Sequence, residues 1–305
     1  MWRIRFSCPR CAEALLCERS PGEAGGSVVC RQCGVLYRQR SGIWRFLDPV
    51  IEAALEPFLG QYRSVRDREG RRDLTDIQYR NLPTVAPTDA RAQEWGVRRE
   101  TYHHLLRHVL AAGRQPSTIL DLGCGNGWLA HRLSALRHHV AAVDVSDDAR
   151  DGLGAVQRYG SEVVAIQADF DALPLGPSQF DIVIFNGSLH YSPDPARTLA
   201  SVCRLLQPAG TLVVMDSPMF HADVDGVAML AATVHRFAED YGLENSVIPG
   251  RGYLTFALLA QTADAMRLDA RFVPSRGSLV WRLGRQLARF RQGRQPAAFG
   301  LWMAR

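Results

Sequence analysis

Between residues 117 and 215 the apolar positions change period several times. Apolar runs at 117–122, 139–145, 163–168, 180–185 and 211–215 have the length of buried strands. Helical spacing takes over between them, as with Leu129, Leu133 and Leu136 after the first run and across 196–206 before the last. This alternation predicts an α/β fold, with right-handed β-α-β units building a parallel sheet covered by helices on both faces. A helix near 253–267 and two closing strands, 270–273 and 298–303, extend the pattern, while 218–252 read as an insertion after the fifth strand. Ahead of this region, residues 49–112 are charged and helical in pattern, with Pro83 and Pro87 marking a loop. Residues 1–48 are cysteine-rich. The expected units are therefore 1–48, a helical connector over 49–112, and an α/β domain over 113–305.

The first run ends in a glycine turn. Asp121 is followed by Gly123, Cys124, Gly125, Asn126 and Gly127, and the helical pattern starts at Trp128. Strand, glycine turn and helix together bring backbone amides and a helix N-terminus against a nucleoside-containing cofactor. A dinucleotide fingerprint needs a small residue where Trp128 stands, because there the helix packs on the strand. The spacing therefore points away from dinucleotides. Asp144 closes the second run, 17 residues after Gly127 and next to Val145. A carboxylate at that place accepts both ribose hydroxyls in a bidentate hydrogen bond. A helix N-cap is the other role for such an acid, but Ser146 and Asp147 are better placed for it.

These residues resemble motif I of the class I S-adenosylmethionine (SAM) methyltransferases, and three later segments resemble the family in the same order. Asp169 and Phe170 end the third strand, 180–186 resembles the fourth-strand motif, and 207–216 resembles the turn into strand five. The resemblance implies a Rossmann-like class I methyltransferase sheet with SAM as cofactor. It also implies that Asp169 accepts from the adenine amine, with Asp171 as competitor, while Phe170 offers an amide or ring edge. The expected cofactor residues are then Asp121, Gly123, Cys124, Gly125, Asn126, Gly127, Asp144, Val145, Asp169, Phe170 and Asn186. Family members fold helices such as those of 49–112 over the cofactor, which makes Tyr79, Trp95, Arg98 and Tyr102 cap candidates and pairs Arg98 with the methionine carboxylate. A buried amphipathic connector is the alternative for that region.

The strand end at Asn186 should face the transferable methyl. SAM carries its methyl already activated, so alignment of the nucleophile is the main task, worth roughly 7–11 kcal/mol in favourable cases. His190 is the candidate general base, because it follows the strand end and has a pKa suited to the task. Tyr191 shapes the same wall, and a packing role is the alternative for His190. The fourth strand lacks the Asn-Pro-Pro-Tyr or Asp-Pro-Pro-Tyr ending of amino-methylating nucleic-acid enzymes. No Pro-Cys pair stands where pyrimidine C5 enzymes place a nucleophile.

Cys8, Cys11, Cys30 and Cys33 form two C-x2-C knuckles separated by 18 residues. Two such knuckles supply four converging thiolates for a tetrahedral zinc site, which has no open position and is therefore structural. A disulfide pair is the alternative. The segment 8–48 resembles a small zinc-ribbon family whose members occur fused to methyltransferases or as separate partners of tRNA methyltransferases. Cys17 is a spare thiol, and Cys124 and Cys203 read as packing residues.

Composition changes this picture in two ways. The chain has 305 residues with 47% hydrophobic and 22% charged content and no signal-peptide pattern, so a cytoplasmic protein is expected. No stretch approaches the roughly 20 apolar residues that span a bilayer, and no membrane partner is expected. All 36 basic residues are Arg, which beside the many Ala and Gly suggests a GC-rich bacterial genome. Residues 276–294 hold six Arg and no acid, against a net charge of +5 for the whole chain. Within them Leu283, Leu287 and Phe290 fall on one helical stripe and Arg282, Arg285 and Arg289 on another. Such a helix docks RNA phosphates or an acidic partner, or else presents a solvated Arg face over the domain edge. The function expected first is methyl transfer to a small-molecule acceptor. An RNA methyltransferase comes second and a non-catalytic partner with a SAM-type fold third.

Overall fold

The computed structural model describes residues 3–15, 26–111, 115–243 and 249–305, so Cys17 lies outside the described residues. Two short strands, β1 (Phe6–Ser7) and β2 (Ala14–Leu15), precede a meander of β3 (Ser27–Val29), β4 (Leu36–Arg40) and β5 (Ile43–Arg45). Helices α1 (Pro49–Arg68), α2 (Asp76–Asn81) and α3 (Ala92–Leu105) follow. Their starts are written in the sequence. Asp48 accepts the Val50 amide ahead of Pro49, and Thr75 with Gln78 forms a reciprocal capping box.

The core then alternates: β6 (Thr118–Leu122), α4 (Trp128–Ala135), β7 (His139–Asp144), β8 (Val163–Gln167), β9 (Phe180–Asn186), α5 (Pro195–Cys203) and β10 (Leu206–Met215). One departure from the expected pattern has a clear cause. Leu206 already pairs with Phe180, and the register shifts before Thr211, so β10 begins earlier than expected and carries a bulge. Early pairing also stops α5 at Cys203, short of residue 206. The chain ends with β11 (Met219–Phe220), α6 (Asp223–Tyr241), β12 (Leu254–Thr255), α7 (Phe256–Ala265), β13 (Ala270–Pro274), α8 (Leu279–Gln292) and β14 (Gly300–Ala304).

Ten strands form one mixed sheet in the order β13-β14-β10-β9-β6-β7-β8-β5-β4-β3. The stretch from β10 to β5 is parallel, and β14 runs antiparallel between β10 and β13. This is the expected Rossmann-like sheet, extended at one edge. The extension is the cysteine-rich meander: β5 pairs with β8, placing Ile43 opposite Ala165 and Arg45 opposite Gln167.

The meander also shares the core. Phe6 lies 5.2 Å from Trp44 and 5.0 Å from Phe46, and Tyr37 lies 4.7 Å from Phe46, between ring centroids. These rings belong to the same buried cluster as Leu120, Phe180 and Phe185 on one face of the sheet. The other face buries Tyr79, Leu105, Ile119 and Leu129 beneath α2, α3 and α4. Each large apolar side chain so buried contributes about 1.5–3 kcal/mol, so the N-terminal module does not rely on its own small core.

The expected solvated Arg face of α8 is present only in part, with Arg282 and Arg289 exposed. The apolar stripe of α8 does not cover the domain edge, since Leu283, Leu287 and Phe290 are 62%, 59% and 82% exposed. Instead Arg285 turns inward and stacks over Trp281 and Phe299, each 5.5 Å from the guanidinium carbon.

Candidate functional site

A cavity of about 580 Å³ opens at the carboxyl ends of β6, β7, β9 and β10, where ligands bind in open α/β sheets, with residues of α1, α3 and α6 completing its wall. Its floor is the glycine turn. Gly123 has φ +67°, and a Cβ there would sit 2.3 Å from the Ser188 Cβ, so only glycine fits. Gly127, at φ +74°, lets α4 start tightly, and a Cβ there would lie 2.6 Å from Val156 Cγ2. The Gly125 amide donates to Asp144 Oδ2 and the Ser146 amide to Asp144 Oδ1, both at 2.8 Å. Trp128 packs edge-on against Trp95 and Tyr102 of α3, 5.9 and 6.0 Å between centroids.

Buried acids without counter-ions mark this end of the sheet. Burial pushes Asp144 up to about 6. Asp121 lies beneath the turn with neither oxygen hydrogen-bonded, and burial with the nearby Asp144 charge pushes it up to about 7. Asn186 Oδ1 and Asp216 Oδ2 are likewise buried without partners, and both residues line the cavity. Thr101 donates to the other Asp216 oxygen at 2.7 Å, and burial pushes this carboxyl up to about 6. Unsatisfied buried polar atoms are costly, so their concentration here fits a site for a polar, positively charged ligand.

Helix α1 crosses the cavity with Phe58, Tyr62, Val65 and Arg66. Arg66 holds Asp151 in a two-pronged ion pair, at 2.6 and 2.8 Å. From the loop beyond, Arg71 grips Glu94 at 3.0 and 2.8 Å, and Arg98 meets the same carboxylate at 3.0 Å. Burial works against ionisation of Glu94, but Arg98 and Arg71 outweigh it and hold the carboxyl at about 2. Helix α6, within the expected insertion, adds Met229, Leu230, Thr233, Arg236 and Phe237 to the wall. Its last turn is tied to α1: Arg68 donates to the Tyr241 carbonyl at 2.5 Å, and the Tyr241 hydroxyl donates to Glu69 at 3.2 Å.

The structure brings together most of the residues singled out in the sequence. Gly123, Cys124, Gly125, Asn126, Asp144, Val145, Phe170, Asn186, Arg98, His190 and Tyr191 all line the cavity. Asp121, Gly127, Asp169 and Tyr79 do not. Asp169 accepts the Asp171 amide at 2.9 Å, in a local turn. Tyr79 is buried behind the wall, its hydroxyl donating to the Arg150 carbonyl. His190 Nδ1 lies 3.2 Å from the Ser217 hydroxyl, and burial with the Arg98 charge pulls its ring down to about 3. Its uncharged ring is therefore a hydrogen-bonding group at neutral pH. His221 packs on Phe256, 4.5 Å between centroids, and His235 is exposed. Tyr62, Arg66 and Asp151 were not named from the sequence, and Asp216 entered there only as the end of the 207–216 segment, with no site role.

The four N-terminal cysteines converge, their sulfur atoms all within 4.8 Å of one another. Cys8 and Cys33 are 3.6 Å apart and Cys11 and Cys30 3.4 Å, too far for disulfides and close to the edges of a sulfur tetrahedron. Burial would raise the Cys8 thiol, but the Tyr37 hydroxyl and the Arg10 and Cys11 amides bring it down to about 6. The set fits zinc. Cys203 meets Met266 at 3.4 Å in a packing contact.

Residues 120–214 match the family described as a methyltransferase domain. Over 100 residues the chain is 34% identical to a malonyl-[acyl-carrier protein] O-methyltransferase of Hahella chejuensis, covering 32% of this chain and 36% of that one. It is 35% identical over 106 residues to a ubiquinone biosynthesis O-methyltransferase of Aromatoleum aromaticum, covering 32% and 43%. The chain thus spans less than half the length of either relative. A SAM-dependent methyltransferase structure from Mesorhizobium loti is 17% identical with a TM-score of 0.45, covering 66% of this chain and 97% of that one. Residues 120–214 are thus similar to a methyltransferase domain, and a four-cysteine cluster lies on their N-terminal side.

Proposed function

We propose that the protein is a SAM-dependent methyltransferase acting on a small-molecule acceptor, with structural zinc at Cys8, Cys11, Cys30 and Cys33. The observation that carries this reading is the cavity wall. Five arginines (Arg66, Arg71, Arg91, Arg98 and Arg236) face five carboxylates (Glu69, Glu94, Asp144, Asp151 and Asp216) around it, amid Phe58, Tyr62, Phe237 and Phe299. A charge-balanced, partly aromatic cavity of this volume suits a small ligand, whereas RNA phosphates call for an uncompensated basic groove. No residue before Phe58 lines it, so the cysteine module has no part in the wall. Both named relatives are O-methyltransferases, which supports an oxygen acceptor here.

SAM, when bound, supplies a methyl group on a sulfonium. In this reading Gly123, Cys124, Gly125 and Asn126 cradle the cofactor, Asp144 and Val145 hold the ribose end, and Phe170 lies by the adenine. Asp121 and Gly127 support the turn from beneath, Asp169 orders the loop that carries Phe170, and Tyr79 backs the cap. Asn186 and Arg98 face the amino-acid part. His190, uncharged, orients the acceptor with Tyr191 rather than drawing off its proton, because a group with a pKa near 3 is a weak base at neutral pH. Asp216, near 6, is the better matched proton acceptor. Calorimetry with SAM and with its demethylated product tests the reading: micromolar binding of both is expected, and no binding of either would overturn it.

A further inference from the structure

Helix α8 exposes the wrong face for a solvated edge. Leu279, Val280, Leu283, Leu287 and Phe290 are between 59% and 82% exposed and form one stripe along its full length. At 1.5 Å per residue its 14 residues make a ridge of about 21 Å. Scattered exposed apolar residues are ordinary, but a continuous stripe marks an interaction surface. The segment itself is basic, since 276–294 contain six Arg and no acid, while Glu100 meets the Arg276 and Gly277 amides before the helix and Asp225 the Gln295 amide after it. Beneath the ridge a second cavity, of about 340 Å³, is lined by Arg276, Arg282, Arg285 and Arg289 with no carboxylate in its wall.

We propose that α8 docks this protein onto an anionic lipid surface, with the apolar ridge in the acyl boundary and the arginines at the level of the phosphates. A helix of this kind lies in the interface plane with its apolar side sunk about 5–10 Å. Arginines beside it reach the headgroups by their long stems, and basic residues near an anionic leaflet strengthen the attraction. The arginine-lined cavity next to the ridge gives a headgroup phosphate a place with no competing carboxylate. RNA satisfies the arginines but leaves the five apolar side chains in water. An acidic protein must bring its own apolar groove to receive the ridge. A lipid surface satisfies both halves at once and needs no shape match. No helix among the described residues is long and apolar enough to cross a membrane, so the association is peripheral.

The test is co-sedimentation of the full chain with vesicles of phosphatidylcholine alone and of phosphatidylcholine with phosphatidylglycerol at equal parts. Binding at least roughly tenfold tighter to the anionic vesicles, and weakened by salt, is expected. Leu283→Glu should lower that binding about tenfold or more, and Arg282→Gln with Arg289→Gln should lower it several-fold on anionic vesicles only. Both sites are exposed, and unchanged SAM binding and melting temperature will show that the variants fold. Phe290→Ser serves as a second ridge variant. Equal binding to both vesicle types, no binding, or binding indifferent to Leu283→Glu and Phe290→Ser overturns the proposal. A dimer in light scattering that Leu283→Glu converts to monomer, or RNA binding that replaces vesicle binding, overturns it too. None of these readouts depends on methyl transfer.

Discussion

The Gly125 amide donates to Asp144 Oδ2 at 2.8 Å, so the glycine turn after the first core strand is latched to the end of the second. The same carboxylate takes the Ser146 amide on its other oxygen. One side chain therefore shapes the floor of the cavity and keeps lone pairs for a ligand. Asp144→Ala should weaken SAM binding by about 1.5–3 kcal/mol, roughly 10- to 100-fold, the range for hydrogen bonds to a charged group. Calorimetry reads this directly. Unaltered affinity would remove Asp144 from the site.

Gly123 offers a prediction about stability. Its positive φ and the approach of Ser188 both exclude a side chain. Gly123→Ala should cost about 1–3 kcal/mol through backbone strain and overpacking, and thermal melting should fall by several degrees. A variant as stable as the parent would mean that the turn is not as tight as described.

Asp121 predicts a pH dependence whose sign follows from burial. Its folded carboxyl lies near 7 against an ordinary 3.8. A raised acid favours the protonated fold, so the stability it contributes is present below its unfolded value and is lost as pH rises through about 7. Asp121→Asn removes that loss. Without cofactor, the variant should melt above the parent at about pH 8, and the gap should close toward about pH 4. Comparing variant with parent cancels opposing contributions such as that of His190, whose lowered pKa acts in the reverse direction. A gap that is constant with pH would sink the assignment.

The cysteine cluster predicts a metal-dependent fold edge. Cys8, Cys11, Cys30 and Cys33 clamp the loops that hold β3, β4 and β5, and β5 is hydrogen-bonded to β8. The purified protein should hold about one zinc per chain, and Cys30→Ser or a chelator should lower the melting temperature markedly, since structural zinc contributes its binding energy to folding. Elemental analysis together with melting curves checks this. A fully stable, zinc-free protein would refute it.

What the sequence made legible was local. The strand runs, the glycine turn and Asp144 are each set by neighbours within about one β-α-β unit, and periodicity exposes them. Tyr62, Arg66 and Asp151 were hidden, because α1 meets the 151 loop across 85 residues of chain and no spacing records that contact. The union of the N-terminal meander with the sheet was hidden for the same reason, as Ile43 finds Ala165 only in three dimensions. For α8 the amphipathic period was readable, but that Arg285 turns inward while Arg282 and Arg289 stay exposed was decided by Phe299, which receives Arg285. The period names the stripe and leaves its orientation to the tertiary partner.

Asp216 gives the sharpest kinetic prediction. It follows β10 in a left-handed conformation, φ +55°, and lines the cavity, with one oxygen held by Thr101 and the other buried without a partner. Burial keeps its carboxyl near 6, so it is ionised and ready to accept a proton from an acceptor hydroxyl only above that value. Once an acceptor is in hand, kcat/KM should rise with pH through about 6 and then level off. Asp216→Asn keeps the shape and the Thr101 contact but cannot take a proton. Its rate should fall about 10²- to 10⁴-fold, with the acidic limb of the profile lost, while SAM binding holds. A merely structural Asp216 would instead change melting temperature or SAM affinity and leave the limb in place. Retention of that limb in the variant would pass the proton to another group, and the uncharged His190 beside Ser217 would be the next to test.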